Sequence, residues 1–161
     1  LRLFSSLYGL DTVSLRFFNV FGPRQDPDSP YSGVISLFTA ALSEGRAPTI
    51  YGDGGQTRDF TYVSDVVAAV VAASTAPGVN GKAINVACGD RVSVNELFGN
   101  LRDVIGVDVD PIYQPPRVGD IRDSQADNTL AKQLLGFRAM VTVEEGLRRT
   151  VDWYRTSLST D

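Results

Sequence analysis

The richest concentration of chemistry-bearing residues in this chain runs from Gly52 through Asp53, Gly54, Gly55, Gln56, Thr57, Arg58, Asp59, Phe60, Thr61 and Tyr62 to Val63. A glycine-rich turn leads into an Arg-Asp pair, and aromatic and β-branched residues follow. The Arg58 guanidinium offers a planar fork of donors, which suits a diphosphate. The same side chain also suits a surface ion pair with Asp59 or Asp53, the commoner fate of an Arg-Asp pair. A second arginine stands in Arg117-Val118-Gly119-Asp120, a tetrapeptide that fits any exposed turn. Pro115 and Pro116 stiffen the approach to it and Gly119 allows the turn. Asn19 lies in Phe18-Asn19-Val20-Phe21-Gly22, where a strand passes into a loop. Asn and Gly there make a turn, or border a ligand beyond the carboxyl end of a parallel strand. Thr49 and Tyr51 share a face of the short strand Pro48 to Tyr51 by alternation. Tyr51 can stack on a pyrimidine and Thr49 can offer backbone and hydroxyl groups; a half-buried strand accounts for both as well.

What is missing narrows the chemistry. There is no histidine and one cysteine, Cys88, among 161 residues. Ser-His-Asp and Cys-His nucleophiles, His-ligated metals and an internal disulfide are excluded, so no metal is expected. A reducing compartment, the cytoplasm, is the expected location. The net charge of -4 argues against nucleic acid as the partner. No apolar run approaches the roughly 18 residues of a membrane span, so no membrane partner is expected. With 43% hydrophobic and 21% charged residues the composition is that of one globular domain. No G-x-G-x-x-G occurs; Gly52, Gly54 and Gly55 come closest, but Thr57 and Arg58 follow them. The chain opens on Leu1 and its only Met is Met140, so a fragment boundary at residue 1 is expected.

The elements that must position these residues alternate. Leu1 to Tyr8 reads as the end of a helix, with Leu1, Phe4 and Tyr8 on one face and Gly9 as its cap. Thr12 to Phe18 is a strand apolar enough to be buried on both faces. Residues 19 to 32 read as a long loop. A helix is expected over Gly33 to Glu44, and strands over Pro48 to Tyr51 and Asp59 to Val63. Ser64 or Asp65 is expected to cap a Val-rich core helix to about Ala73. Ala83 to Ala87 is a short strand, and its sheet partners and those of 12 to 18 are expected to lie outside the chain. Ser93-Val94-Asn95-Glu96 and Thr142-Val143-Glu144-Glu145 are capping boxes. They open helices to Ile105 and to about Ser157, with an extended Pro111 to Gln114 and a short helix from Asn128 to Leu135 between them. On the last helix Glu144, Glu145, Arg148 and Arg149 are spaced for i,i+4 pairs. Strands alternating with helices argue an α/β fold with parallel pairing. Cys88 and Trp153 read as core.

The glycine-turn and Arg-Asp segment, taken with Leu15-Arg16-Phe17-Phe18-Asn19-Val20-Phe21-Gly22-Pro23-Arg24-Gln25, resembles the extended short-chain dehydrogenase/reductase family, and within it the UDP-hexose 4-epimerases. The resemblance spans essentially all 161 residues but maps to the C-terminal half of such an enzyme. It implies the closing parallel strands of a Rossmann sheet plus a small mixed α/β substrate domain, with the N-terminal NAD-binding half outside the chain. It implies an isomerase acting on UDP-glucose or UDP-N-acetylglucosamine through a 4-keto intermediate, with NAD as cofactor and a homodimer as the full-length assembly. The family's Tyr, followed four residues later by Lys, is not here: the six positions four after a Tyr are Thr12, Ile35, Gly55, Val66, Arg117 and Leu158. No catalytic residue is therefore assigned, and the fragment alone is expected to be inactive. The resemblance puts substrate contacts on Asn19, Thr49, Tyr51, Arg58, Arg117 and Asp120. Phe18 and Asn19 would lie near the nicotinamide, and Ser124 at the gate of the sugar pocket. A 4,6-dehydratase, a uronate epimerase or decarboxylase, and a non-catalytic nucleotide-sugar-binding piece are the alternatives.

Overall fold

The structure is a computed structural model that describes residues 1–29 and 32–158, so positions 30 and 31 of the expected loop lie outside the described residues. Its elements, in chain order, are α1 (Arg2–Tyr8), β1 (Val13–Phe17), β2 (Val20–Phe21), α2 (Val34–Ser43), β3 (Thr49–Tyr51), β4 (Thr57–Arg58) and β5 (Thr61–Tyr62). They are followed by α3 (Val63–Thr75), β6 (Lys82–Val86), β7 (Val92–Ser93), α4 (Val94–Ile105), β8 (Ile112–Gln114), α5 (Thr129–Leu135) and α6 (Val143–Leu158). Three strand pairs are parallel: β1 with β6, β2 with β5 and β3 with β8. The fourth, β4 with β7, is antiparallel. The α/β class with parallel pairing is as the alternation of elements predicts.

Two apolar clusters hold these pieces. One joins α2, α4 and α6 around Leu42, Ile50, Leu97, Leu101, Leu147 and Val151. On α4 the buried residues Val94, Leu97, Phe98, Leu101 and Ile105 fall at helical spacing, so one stripe faces inward. Phe38 and Phe98 meet edge to face with ring centroids 6.4 Å apart. Gly146 lets α6 approach β2 and β5: a Cβ there would stand 2.7 Å from the Phe21 ring. The second cluster packs Val66 and Ala69 of α3, Ile84 and Val86 of β6, and Ala131 of α5.

Local signals are realised where they are complete. Ser93 and Glu96 form both bonds of a capping box. At the second expected box only one bond forms, Thr142 Oγ1 accepting from the Glu145 N–H. The Glu145 carboxylate turns instead to Arg148 and Arg149, at 2.6 and 2.8 Å.

Several expectations are corrected. Strands 12–18 and 83–87 are each other's partners, in register from Val13 opposite Lys82 to Phe17 opposite Val86. β1 is not buried on both faces: Phe17 is half exposed, because α3 and the second cluster cover one side only. The loop from 19 contains β2, which two residues of β5 extract by pairing. The expected strand 59–63 starts late, at β5, because Asp59 is turned inward between β4 and β5. The α3 helix starts at Val63 with no side-chain cap. Asp65, expected to cap it, is buried and accepts from the N–H groups of Met140 and Val141, both at 3.1 Å. Only one stripe of α3 is core; Val67, Val70 and Val71 face outward.

Candidate functional site

A cleft of about 430 Å³ opens beside β3 and β4, and Asn19, Thr49, Tyr51, Arg58, Arg117 and Asp120 line it. These six residues come from four separate stretches of chain. The pairing of β3 with β8 brings the 115–121 segment over β3, since the Gly52 N–H donates to Gln114 O at 2.9 Å. All three residues of β3 border the cleft, Thr49 exposed, Ile50 buried and Tyr51 half-buried, the alternation expected of a strand.

Arg58 is the most engaged of the six. Its Nη1 donates to Thr57 O at 2.8 Å and to Ile121 O at 2.6 Å. Its Nη2 is ion-paired with Asp120 Oδ1. The Arg58 side chain is 18% exposed, so this pair lies at the mouth of the cleft rather than on open surface. Neither Asp59 nor Asp53 is its partner. Arg117 lays its guanidinium over the Tyr51 ring, 3.9 Å from the centroid, a cation–π contact on the ring the sequence suggests for stacking. Asn19 sits at φ +26°. It clips the loop: its Nδ2 donates to Asp59 O at 3.0 Å, and its own carbonyl accepts from Thr61 N–H at 3.2 Å. It thus makes the turn and also borders the cleft.

Phe18 and Ser124 do not line this cleft. The Phe18 N–H donates to Val86 O at 3.3 Å, and the Ser124 N–H donates to Thr57 O at 3.2 Å. Arg122 and Asp123, expected on the solvated surface, pair there: Arg122 with Asp53 at 2.6 Å, Asp123 with Arg91 at 3.6 Å. The Arg122 hydrogen bond, helped by the Gly55 N–H, lowers the Asp53 carboxyl to about 2.

Two residues escaped the sequence reading. Gln56 lines the cleft and donates from Nε2 to Tyr51 O at 2.8 Å. Its place two residues before Arg58, just ahead of β4, is the signal that could have found it. Asp59 is fully buried. Oδ1 accepts from the Cys88 N–H at 3.0 Å, and Oδ2 accepts from Gly89 and Ala126 at 3.0 and 3.2 Å. Burial raises its pKa above the usual carboxylate value, and the three N–H bonds oppose that shift. The Cys88 thiol is likewise pushed up by burial and by the nearby Asp59 charge, which leaves it a poor nucleophile.

The glycine turn offers no cradle for a dinucleotide. A Cβ on Gly54 would stand 1.9 Å from Asn95 Oδ1, so the space that turn opens is filled by the chain itself. Asn95 Nδ2 donates to Asp53 O at 2.9 Å and locks the turn shut. Among the described residues no three His, Cys, Asp or Glu side chains gather into a metal site, and no helix is long and apolar enough to cross a membrane.

A parallel α/β scaffold with an arginine-lined cleft beside its short strands defines a class, and the comparisons agree. The chain belongs to the NAD dependent epimerase/dehydratase family, whose model matches residues 1–87. It is 41% identical over 155 residues to the UDP-glucose 4-epimerase of Mycolicibacterium smegmatis, covering 96% of this chain and 49% of that protein. Among solved structures, the UDP-glucose 4-epimerase of Thermotoga maritima with UDP-glucose superposes with a TM-score of 0.92 at 42% identity, over 97% of this chain and 50% of that one. The UDP-N-acetylglucosamine 4-epimerase of Methanobrevibacter ruminantium, in complex with UDP-N-acetylmuramic acid, gives 0.91 at 43%, with the same coverage. The chain spans about half the length of the relatives it matches.

Proposed function

We propose that this chain is the substrate-binding half of an NAD-dependent UDP-sugar 4-epimerase, and that the cleft holds the nucleotide diphosphate. One observation carries the reading: two arginines, 59 residues apart in sequence, meet at one cleft with Thr49, Tyr51 and Asn19. Arg58 and Arg117 would clamp the diphosphate, because a guanidinium gives paired, charge-assisted bonds to phosphate oxygens. Asp120 would accept from ribose hydroxyls and Tyr51 would flank the base. Asn19 would reach toward the sugar, and Ser124, a small residue at the gate, would leave room beside it for an N-acetyl group. Two of the solved relatives are crystallised with UDP-sugars, one of them an N-acetylated kind, which supports a uridine diphosphate ligand with either sugar type.

NAD, which the family name carries, does not fit the described residues: the one glycine-rich turn is closed by Asn95. NAD is proposed to be held by residues outside this chain, with Phe18 and Asn19 at its border. The part of these 161 residues is to bind and orient the substrate, and the proton and hydride steps fall to groups outside them.

Calorimetric titration of the chain with UDP tests the reading. Arg58→Ala should weaken binding by about 10- to 150-fold, the worth of a hydrogen bond to a charged group. Arg58→Lys should recover part of it, since the charge returns without the fork. Equal affinity for wild type and Arg58→Ala would remove the diphosphate from this cleft.

A further inference from the structure

We propose that Asp120 is an anion filter for the diphosphate position: it holds the Arg58 fork and yields it only to a ligand that gives its carboxylate new donors. The inference rests on the reading of the cleft as a nucleotide-sugar site. In this structure both terminal nitrogens of Arg58 are engaged by the chain itself. Nη1 donates to two backbone carbonyls, and Nη2 is ion-paired with Asp120. At the Arg58 position the cleft therefore presents a neutralised pair and not a bare cation.

The segment that carries Asp120 is held in place at both ends. Arg117 is stacked on Tyr51, and Ile121 O accepts from Arg58. An incoming phosphate must compete with a carboxylate already fixed at the guanidinium. Beside a displaced carboxylate that is 36% exposed, an anion meets like-charge repulsion that water only partly screens, and a ligand offsets it by giving the carboxylate donors of its own. A nucleoside diphosphate brings them, because hydroxyl groups stand close to its phosphates. Inorganic pyrophosphate brings charge alone. Asp120 then sets which diphosphates bind, in addition to how tightly one does.

The experiment is calorimetry on the 161-residue chain with inorganic pyrophosphate and with UDP, for wild type, Asp120→Asn and Asp53→Asn. Asp53 is the control for bulk charge, since it is an exposed carboxylate on the neighbouring turn paired with Arg122 and not with Arg58. Asp120→Asn should bind pyrophosphate about 5-fold tighter, the scale of a partly exposed ion pair released, while UDP binds equally or more weakly. Asp53→Asn should leave the ratio of the two affinities unchanged. Pyrophosphate binding in Asp120→Asn no tighter than in wild type, including no binding by either, overturns the filter. So does an equal gain in Asp53→Asn, which would be bulk charge. If UDP still binds wild type and depends on Arg58, only the filter falls. If wild type does not bind UDP, the functional reading falls with it.

Discussion

Arg58 and Asp59 are neighbours in sequence and opposites in environment. Arg58 ends β4 with its fork at the mouth of a cleft, meeting Asp120 and two carbonyls. Asp59 turns the other way and is fully buried, holding three backbone N–H groups from two distant loops. Adjacent residues of an extended chain point to opposite sides, so one step along the backbone passes from cleft surface to core. One dipeptide therefore does two jobs: its cation faces the cleft, where Asp120 and two carbonyls engage it, and its anion organises the scaffold. The 120–126 stretch follows the same division. Asp120 meets Arg58, the Ser124 N–H meets Thr57 O, and the Ala126 N–H meets Asp59.

The sharpest way to break this comparison is to truncate each side in turn and measure stability by urea unfolding. Asp59→Ala leaves the Gly89 and Ala126 N–H groups without an acceptor, while the Cys88 N–H keeps Thr61 Oγ1 at 3.1 Å, and should cost about 2 kcal/mol or more, at 1–3 kcal/mol for each buried donor left unpaired. Arg58→Ala removes a partly exposed ion pair and two bonds to carbonyls at the cleft mouth, where water can replace them, and should cost less than Asp59→Ala, about 1 kcal/mol. Similar losses for the two variants would mean that Arg58 is scaffold as much as Asp59.

A smaller effect separates the two sides by pH. Burial raises the folded pKa of Asp59 above the 3.8 of an ordinary aspartate. Between those two values the folded chain keeps a proton that the unfolded chain has lost. The favourable contribution is thus fully present below 3.8 and is lost as pH rises through the folded pKa. Asp53, lowered to about 2 by Arg122 and Gly55, has the opposite sign: its contribution is present above 3.8 and is lost as pH falls toward 2. Asp59→Asn cannot titrate. The stability of wild type minus that of Asp59→Asn should therefore shrink as pH rises from 3.8, read from urea midpoints in stepped buffers. A difference that stays level with pH would show that Asp59 does not change charge across that range.

The same contrast explains what could be read from the sequence. The Ser93 to Glu96 capping box and the Gly9 end of α1 are set by residues within four positions, and those local motifs alone predict them. The cleft residues were legible through family resemblance, because Arg58 and Arg117 have no local relation to each other. Asp59 was invisible as a hub. Its partners stand 29, 30 and 67 residues away, and Asp in such a segment reads as an ion-pair partner for the adjacent Arg. Asp65 misled for a like reason, since its position suits a helix cap while its carboxylate closes a contact 75 residues along. The pairings of β2 with β5 and of β1 with β6 are long-range for the same reason. Two residues of strand inside a loop carry no period of their own.

The smallest expected effect falls on the seam between the two sides. Ser124 is proposed to leave the sugar position open as a small gate residue, yet it does not line the cleft, and its N–H is committed to Thr57 O at 3.2 Å. Its half-buried side chain stands between the Asp120 end and the Ala126 end of the stretch. A tyrosine there must project either toward the cleft or against the Asp59 side. If it projects toward the cleft, it fills the room beside the sugar. The overpacking cost is taken as about 1 kcal/mol, the low end for an added group, because the site is only half buried. UDP-N-acetylglucosamine should then lose roughly 5-fold in affinity relative to UDP-glucose, while UDP itself is little changed. The measurement is the ratio of the two sugar-nucleotide affinities, wild type against Ser124→Tyr, by competition with UDP. An unchanged ratio with a lowered urea midpoint would put Ser124 on the Asp59 side, as part of the scaffold that holds the cleft and not of the cleft itself.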